Sequence, residues 1–193
     1  MAEVSGTAEF GLGKGKVFPA DHAGSLLHPA RRLVQSPRRT VRATALGSGA
    51  AVLELGCGPG FFSPFIKEAI SGGPLVLLDL QLPMLRLARQ RTCGAPGIVS
   101  VQADGAALPF TERCFDAVFI ATVLGELPDP GACLDDVHRV LRPDGTLAVA
   151  ETRRDSDFIA ASPLRELAES HGFEWRARRG PRWQFVATFR STR

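Results

Sequence analysis

The 193 residues are 45% hydrophobic and 22% charged, which suits one globular domain with a full core rather than a fibrous, disordered or disulfide-stapled chain. No apolar run approaches the roughly 18 to 20 residues that span a bilayer, and residues 1–10 have neither the basic nor the apolar part of a leader, so a cytosolic address is expected. The net charge of +3 divides into +4 over residues 1–45, −6 over 46–173 and +5 over 174–193; such basic ends could meet an anion, although solvated surface arginines are the simpler reading.

In chain order, residues 1–20 are glycine-rich and aperiodic and read as loop. Two short helices follow: Pro29 to Gln35, then one with Ser36 as N-cap, Pro37 at N1, and Val41, Ala45 and Leu46 on its apolar side. They form a helical cap over residues 1–46, ahead of a main domain over 47–193. The apolar run Ala50 to Leu55 is a first strand, entering a glycine turn at Glu54 to Gly60; helical periodicity begins at Phe61 and runs to Ile70, with Ser63 and Pro64 as the expected cap of that helix. Leu75 to Leu80 and Ile98 to Gln102 are further strands around a helix from Pro83 to Arg91. Phe115 to Thr122 is the fourth strand, followed by a helix from Ala132 to Leu141 that Pro143-Asp144-Gly145 stops. Thr146 to Glu151 is the fifth, Leu164 to Ser170 a helix, and Glu174 to Arg178 with Trp183 to Phe189 a closing hairpin. Unbroken apolar strands alternating with helices predict an α/β fold on a buried parallel sheet. Cys57, Cys93, Cys114 and Cys133 lie too far apart for a structural zinc site, so no metal is expected.

Glycines at 56, 58 and 60 let the backbone approach a ligand closely, and the helix behind them points free N–H groups into the same space. In a parallel sheet ligands bind beyond the carboxyl ends of the strands, where Glu54, Asp79 and Asp104 end strands one, two and three. A dinucleotide site wants G-x-G-x-x-G, and here the glycines alternate and are followed by Phe61 and Phe62. Asp79, 19 residues beyond Gly60, can accept from both hydroxyls of a ribose.

The stretch Glu54-Leu55-Gly56-Cys57-Gly58-Pro59-Gly60 resembles motif I of the class I S-adenosylmethionine-dependent methyltransferases. Ala103 to Phe110 is similar to that family's D-A-x-x-L-P-F segment, Phe115 to Ile120 to its F-D-x-V strand, and Arg139 to Gly145 to its R-V-L-K-P-G-G turn, with Asp144 replacing a glycine. The resemblance covers about Val52 to Val149 and is closest to the methyltransferase 11 group, which includes the ubiquinone and menaquinone C-methyltransferases. It implies a Rossmann-like doubly wound sheet of order 3-2-1-4-5-7-6 with strand seven antiparallel. It also implies S-adenosyl-L-methionine as cofactor and S-adenosyl-L-homocysteine as product. By carry-over, the methionine end lies along Glu54, Gly56, Cys57, Gly58 and Gly60 and the backbone near Ala121. The ribose is held by Asp79, and the adenine packs on Leu80 and Met84 with its edge fixed at Asp104 and Gly105.

A sulfonium-borne methyl needs alignment more than a nucleophile. A general base helps only with a hydroxyl, a protonated amine or a carbon acid, and the candidates are His22, His28, Glu126 and Glu151. Many small-molecule relatives carry a histidine after strand four, which residues 121–129 lack. No N/D-P-P-Y/F loop or Pro-Cys nucleophile points to nucleic acid, and the expected acceptor is a small molecule, quinone-like, lipid or another metabolite, covered by Phe18 to Leu46. Two other classes fit less well: a nicotinamide oxidoreductase, for which a tyrosine proton relay is missing, and a cofactor-binding module without turnover.

Overall fold

The computed structural model describes residues 16–93 and 95–192, and the side chains of Arg32, Leu33 and Val34 fall outside the description. The expected loop over residues 1–20 therefore lies largely outside the described residues. Seven strands form one sheet: β1 (Val52–Leu55), β2 (Leu75–Asp79), β3 (Ile98–Gln102), β4 (Phe115–Ala121), β5 (Leu141–Thr152), β6 (Phe173–Arg179) and β7 (Gln184–Ser191). Their order is β3-β2-β1-β4-β5-β7-β6, as the resemblance implied. Strands β1 to β5 run parallel, and β7 is antiparallel to both neighbours.

All four β1 residues are buried, Glu54 included, because both faces of the strand are covered. Successive side chains point to opposite faces. Leu53, Leu55, Val118, Ile120, Leu147 and Val149 enter one apolar layer, against α6 (Pro130–Val140) and α7 (Ala161–Ser170). Val52, Leu75, Leu77, Ala117, Phe119 and Ala148 enter the other, against α4 (Ser63–Ala69) and α5 (Leu82–Arg91).

The N-terminal region holds a 3-10 turn (Ala20–His22) and three helices, α1 (Ala23–Leu26), α2 (Pro29–Val34) and α3 (Pro37–Thr44). The sequence reading had missed the first two elements, which are too short to show a period. Ser36 caps α3 by accepting from the Arg39 N–H at 3.4 Å, and Ala45 ends it in the left-handed conformation. Val41 of α3 joins the same apolar layer as Ile66, Phe119 and Val186.

Three boundaries differ from expectation. Phe61 and Phe62 belong to the glycine turn, because their rings pack inward before α4 begins at Ser63. Helix α7 begins at Ala161 rather than at Leu164. Pro143-Asp144-Gly145 does not stand apart from the fifth strand but lies within β5, where the register against β4 shifts between Phe115 and Ala117. The irregularity absorbs the proline and the positive φ of Asp144 (62°) at the sheet's rim.

Two of the motifs quoted above prove to be scaffold. Asp116 accepts the Ala51 N–H at 2.8 Å and pairs with Arg142, tying the starts of β1, β4 and β5 together. Arg139 reaches from α6 to Asp136 at 2.6 Å, the Phe110 carbonyl at 2.6 Å and the Leu108 carbonyl at 2.9 Å. It thereby fixes the loop that follows Asp104.

Candidate functional site

A cavity of about 720 Å³ opens beyond the carboxyl ends of β1, β2 and β4, within the usual size range of small-molecule sites. Its wall begins with the turn after β1. Gly56 (φ 67°) leaves no room for a side chain, since a Cβ would stand 2.4 Å from Val123 Cγ2. The turn is thus pressed against the loop after β4. Gly60 (φ 78°) plays a different part: its Cβ would stand 2.8 Å from the Ala88 backbone, so it lets the turn pack on α5 and does not line the cavity. A Cβ on Gly58 would meet no protein atom within 4 Å.

Asp79 closes this wall. Its carboxylate accepts the Gly58 N–H at 2.8 Å and the Gln81 N–H at 2.9 Å, and burial pushes its pKa up against those two bonds. Glu54 sits beside it, 2% exposed, with Oε2 lacking a hydrogen-bond partner. Burial above all, opposed by the Ser63 hydroxyl and reinforced by Asp79, raises its pKa to about 8. Leu80, Met84, Asp104, Gly105, Cys57 and Ala121 also line the cavity. Asp104 Oδ1 accepts from the Ala106 N–H at 2.9 Å, which shapes its own turn.

The four base candidates separate. Glu126 and His28 line the cavity, whereas His22 and Glu151 do not. His28 is the N-cap of α2, its Nδ1 accepting from the Ala30 N–H at 3.2 Å. His22 stands edge-on to Phe18 at 6.4 Å. Burial, with Asp155 close by, lifts Glu126 to about 8, the Phe18 backbone N–H pulling the other way. Glu151 is 1% exposed, accepts from the Ile159 N–H at 3.3 Å through Oε2, and leaves Oε1 unpartnered; burial raises it to about 8 as well.

These three carboxyls predict a pH dependence. Each holds its proton to about pH 8 in the fold but loses it near its ordinary 4.5 once unfolded. The folded chain therefore binds more protons between these values, and its stability falls as pH rises through that window. Glu151→Gln is expected to reduce the loss between about pH 5 and about pH 8 by roughly 2 kcal/mol, well under the full linkage value at 1.4 kcal/mol per unit. Urea denaturation at both pH values measures it, and equal slopes for variant and parent would rule it out.

Several wall residues escaped the sequence reading. Gln81 holds the N-terminal segment across the cavity, its Oε1 accepting from the Ala20 N–H at 3.0 Å and its Nε2 donating to the Phe18 carbonyl at 2.7 Å. Arg31 of α2 lies over the Phe61 ring at 4.4 Å and donates to the Leu26 carbonyl at 3.0 Å and to Gln35 at 3.2 Å. Its pKa is lowered by burial, with Asp155 opposing. Asp155 and Asp157 follow β5 and also line the cavity. Their place beyond a strand's carboxyl end could have revealed them; nothing in the sequence marks Gln81 or Arg31.

A parallel sheet extended by one antiparallel strand inside a hairpin, with a glycine turn and strand-end acids at one rim, defines the class I methyltransferase architecture. The chain belongs to the family described as "Methyltransferase domain", which matches residues 53–149. It is 37% identical over 112 residues to a demethylmenaquinone methyltransferase from Clavibacter sepedonicus, covering 58% of this chain and 45% of that protein. It is 38% identical over 99 residues to a malonyl-[acyl-carrier protein] O-methyltransferase from Pseudescherichia vulneris, covering 51% and 38%. The chain thus spans about half the length, or less, of these curated relatives. In fold it is similar to a SAM-dependent methyltransferase from Aquifex aeolicus, with a TM-score of 0.83, 19% identity and coverage of 91% of this chain and 100% of that one. No helix among the described residues is long and apolar enough to cross a membrane, and no group of three or more potential metal ligands gathers among them.

Proposed function

We propose that the cavity binds S-adenosylmethionine and directs its methyl group to a small, largely apolar acceptor of quinone-like type. The observation that carries this reading is Glu54: a nearly buried carboxyl with an unpartnered oxygen in the cavity wall suits the ammonium of an amino acid. Around it, Gly58 leaves backbone surface open to a ligand, Asp79 offers its remaining lone pairs to ribose hydroxyls, and Leu80 and Met84 offer apolar surface to a base whose edge Asp104 can meet. When bound, the cofactor supplies a methyl on a positively charged sulfur, already activated for transfer.

The protein's own part is to position and to exclude water. Phe18, Leu26, Phe61, Phe62, Val123 and Leu127 give the cavity an apolar side suited to a flat hydrocarbon acceptor. Glu126, in the short 3-10 turn after β4, is the proton acceptor, since a carboxyl near pKa 8 is a much stronger base than an ordinary carboxylate and its ionised fraction grows as pH rises toward that value. Glu126 also stands in the loop after strand four, where the sequence lacks the histidine that many small-molecule relatives carry.

The test is release of S-adenosylhomocysteine in the presence of a short-chain naphthoquinol, a phenol and an aliphatic amine. Turnover is expected with the naphthoquinol, rising with pH toward about 8 as Glu126 ionises. Glu126→Gln is expected to lower kcat by about 100-fold or more, within the usual range for a lost general base, while cofactor affinity stays within about threefold. A variant that keeps parent kcat and pH profile would remove Glu126 from the chemistry. Cofactor binding with no turnover on any acceptor would leave the interaction-module reading in its place.

A further inference from the structure

Away from the cavity, the feature that the proposed reaction does not use is the tip of the β6–β7 hairpin. Arg178, Arg179, Gly180, Pro181, Arg182 and Trp183 are six consecutive exposed residues, and Trp183 is 48% exposed, a large apolar surface left in water. The flanks of the hairpin are neutralised: Arg190 pairs with Glu174 at 2.8 Å and Asp144 at 3.2 Å, and Arg176 with Glu174 at 3.3 Å. At the tip no acid lies within ion-pair reach of Arg178, Arg179 or Arg182 among the described residues. The tip is also held in place. Gln184 N–H donates to the Pro181 carbonyl at 3.1 Å, and Arg153 N–H donates to the Trp183 carbonyl at 2.8 Å. The second bond ties the tip to the loop after β5, where Arg153 and Arg154 are exposed and Arg154 lines the cavity.

We infer that this tip docks on the anionic surface of a lipid bilayer, with its arginines among the headgroups, the Trp183 indole at the interface and the cavity mouth facing the membrane. Arginine and tryptophan together are the side chains that such an interface takes up, the one through anionic headgroups and the other through an amphipathic ring. The tip's six consecutive exposed residues are far fewer than the 20 to 30 per side of a stable protein interface. Single-stranded nucleic acid calls for a groove with successive stacking platforms, and these six exposed residues include a single aromatic, the Trp183 indole. The inference holds whichever molecule the cavity accepts.

The experiment is co-sedimentation of the full chain with vesicles of mixed phosphatidylglycerol and phosphatidylcholine, and with phosphatidylcholine alone. Binding is expected to the anionic vesicles only and to weaken as salt is raised. At about fivefold per arginine, the triple variant Arg178→Gln, Arg179→Gln, Arg182→Gln is expected to bind on the order of 100-fold more weakly at an unchanged melting temperature. The corresponding triple lysine variant is expected to keep most of the binding. Tryptophan emission should shift to the blue with vesicles in Trp175→Phe and not in Trp183→Phe. Equal pelleting with neutral vesicles, no pelleting of the parent with anionic ones, or parent-like binding by the folded glutamine variant would overturn the inference. Tighter binding to an RNA homopolymer at the same salt would do so too, and would give the tip to nucleic acid.

Discussion

Asp79→Ala is expected to weaken S-adenosylhomocysteine binding by on the order of 100- to 1,000-fold in calorimetric titration, because one carboxylate has two tasks. It accepts the Gly58 N–H at 2.8 Å and the Gln81 N–H at 2.9 Å, and so holds the glycine turn to the end of β2. Each donor left without an acceptor costs about 1 to 3 kcal/mol. The same oxygens present the charged acceptor proposed for the ribose, and a hydrogen bond to a charged group contributes about 1.5 to 3 kcal/mol. Asp79→Asn keeps one acceptor oxygen for the turn and loses the charge, so about a tenfold effect separates the ligand's share from the scaffold's. An alanine variant within about threefold of the parent would mean that the cofactor does not lie against β2.

The largest loss of stability is expected from Phe119→Ala, about 3 to 5 kcal/mol as for other buried phenylalanines. Phe119 has no exposed surface. Its ring stands edge-on to Phe62 at 5.3 Å, Phe62 stands edge-on to Phe61 at 4.9 Å, and the Arg31 guanidinium covers Phe61 at 4.4 Å. A stack therefore runs from the middle of the sheet through the glycine turn to α2. Urea denaturation measures the loss, and Phe119→Leu is expected to keep more than half of the stability by filling most of the volume. A loss below about 1 kcal/mol for the alanine variant would mean that the layer closes over the gap.

The architecture was legible because a parallel sheet covered on both faces needs strongly apolar strands, and Val52 to Leu55, interrupted only by Glu54, with Leu75 to Leu78 and Ala117 to Ile120, supply them. The acids near the strand ends were legible only as a set: any one of Glu54, Asp79 and Asp104 could simply cap the next helix, but three in successive units beside a glycine turn point to one rim. What stayed hidden was set by partners far away in the chain. Nothing in the alternating glycine pattern separates Gly60, packed on Ala88, from Gly56, pressed on Val123. Pro143-Asp144-Gly145 has the composition of a stop signal, yet the strand pairing beside it carries the chain through as part of β5. Glu126 and Glu151 were indistinguishable as acids after strands; only the fold puts one in the cavity wall and the other behind it. Gln81, an ordinary surface residue type, matters because α5 starts just where the N-terminal segment passes.

That crossing has a mechanical consequence. One carboxamide, two positions after the carboxylate proposed to grip the cofactor, ties residues 18 and 20 to the cavity wall with two hydrogen bonds. At about 0.5 to 1.5 kcal/mol net for each bond, the tie yields far more readily than any strand of the sheet. With the Phe18 N–H also held by Glu126, residues 18 and 20 hang on the cavity wall by side-chain bonds, and breaking those bonds undoes no strand pairing.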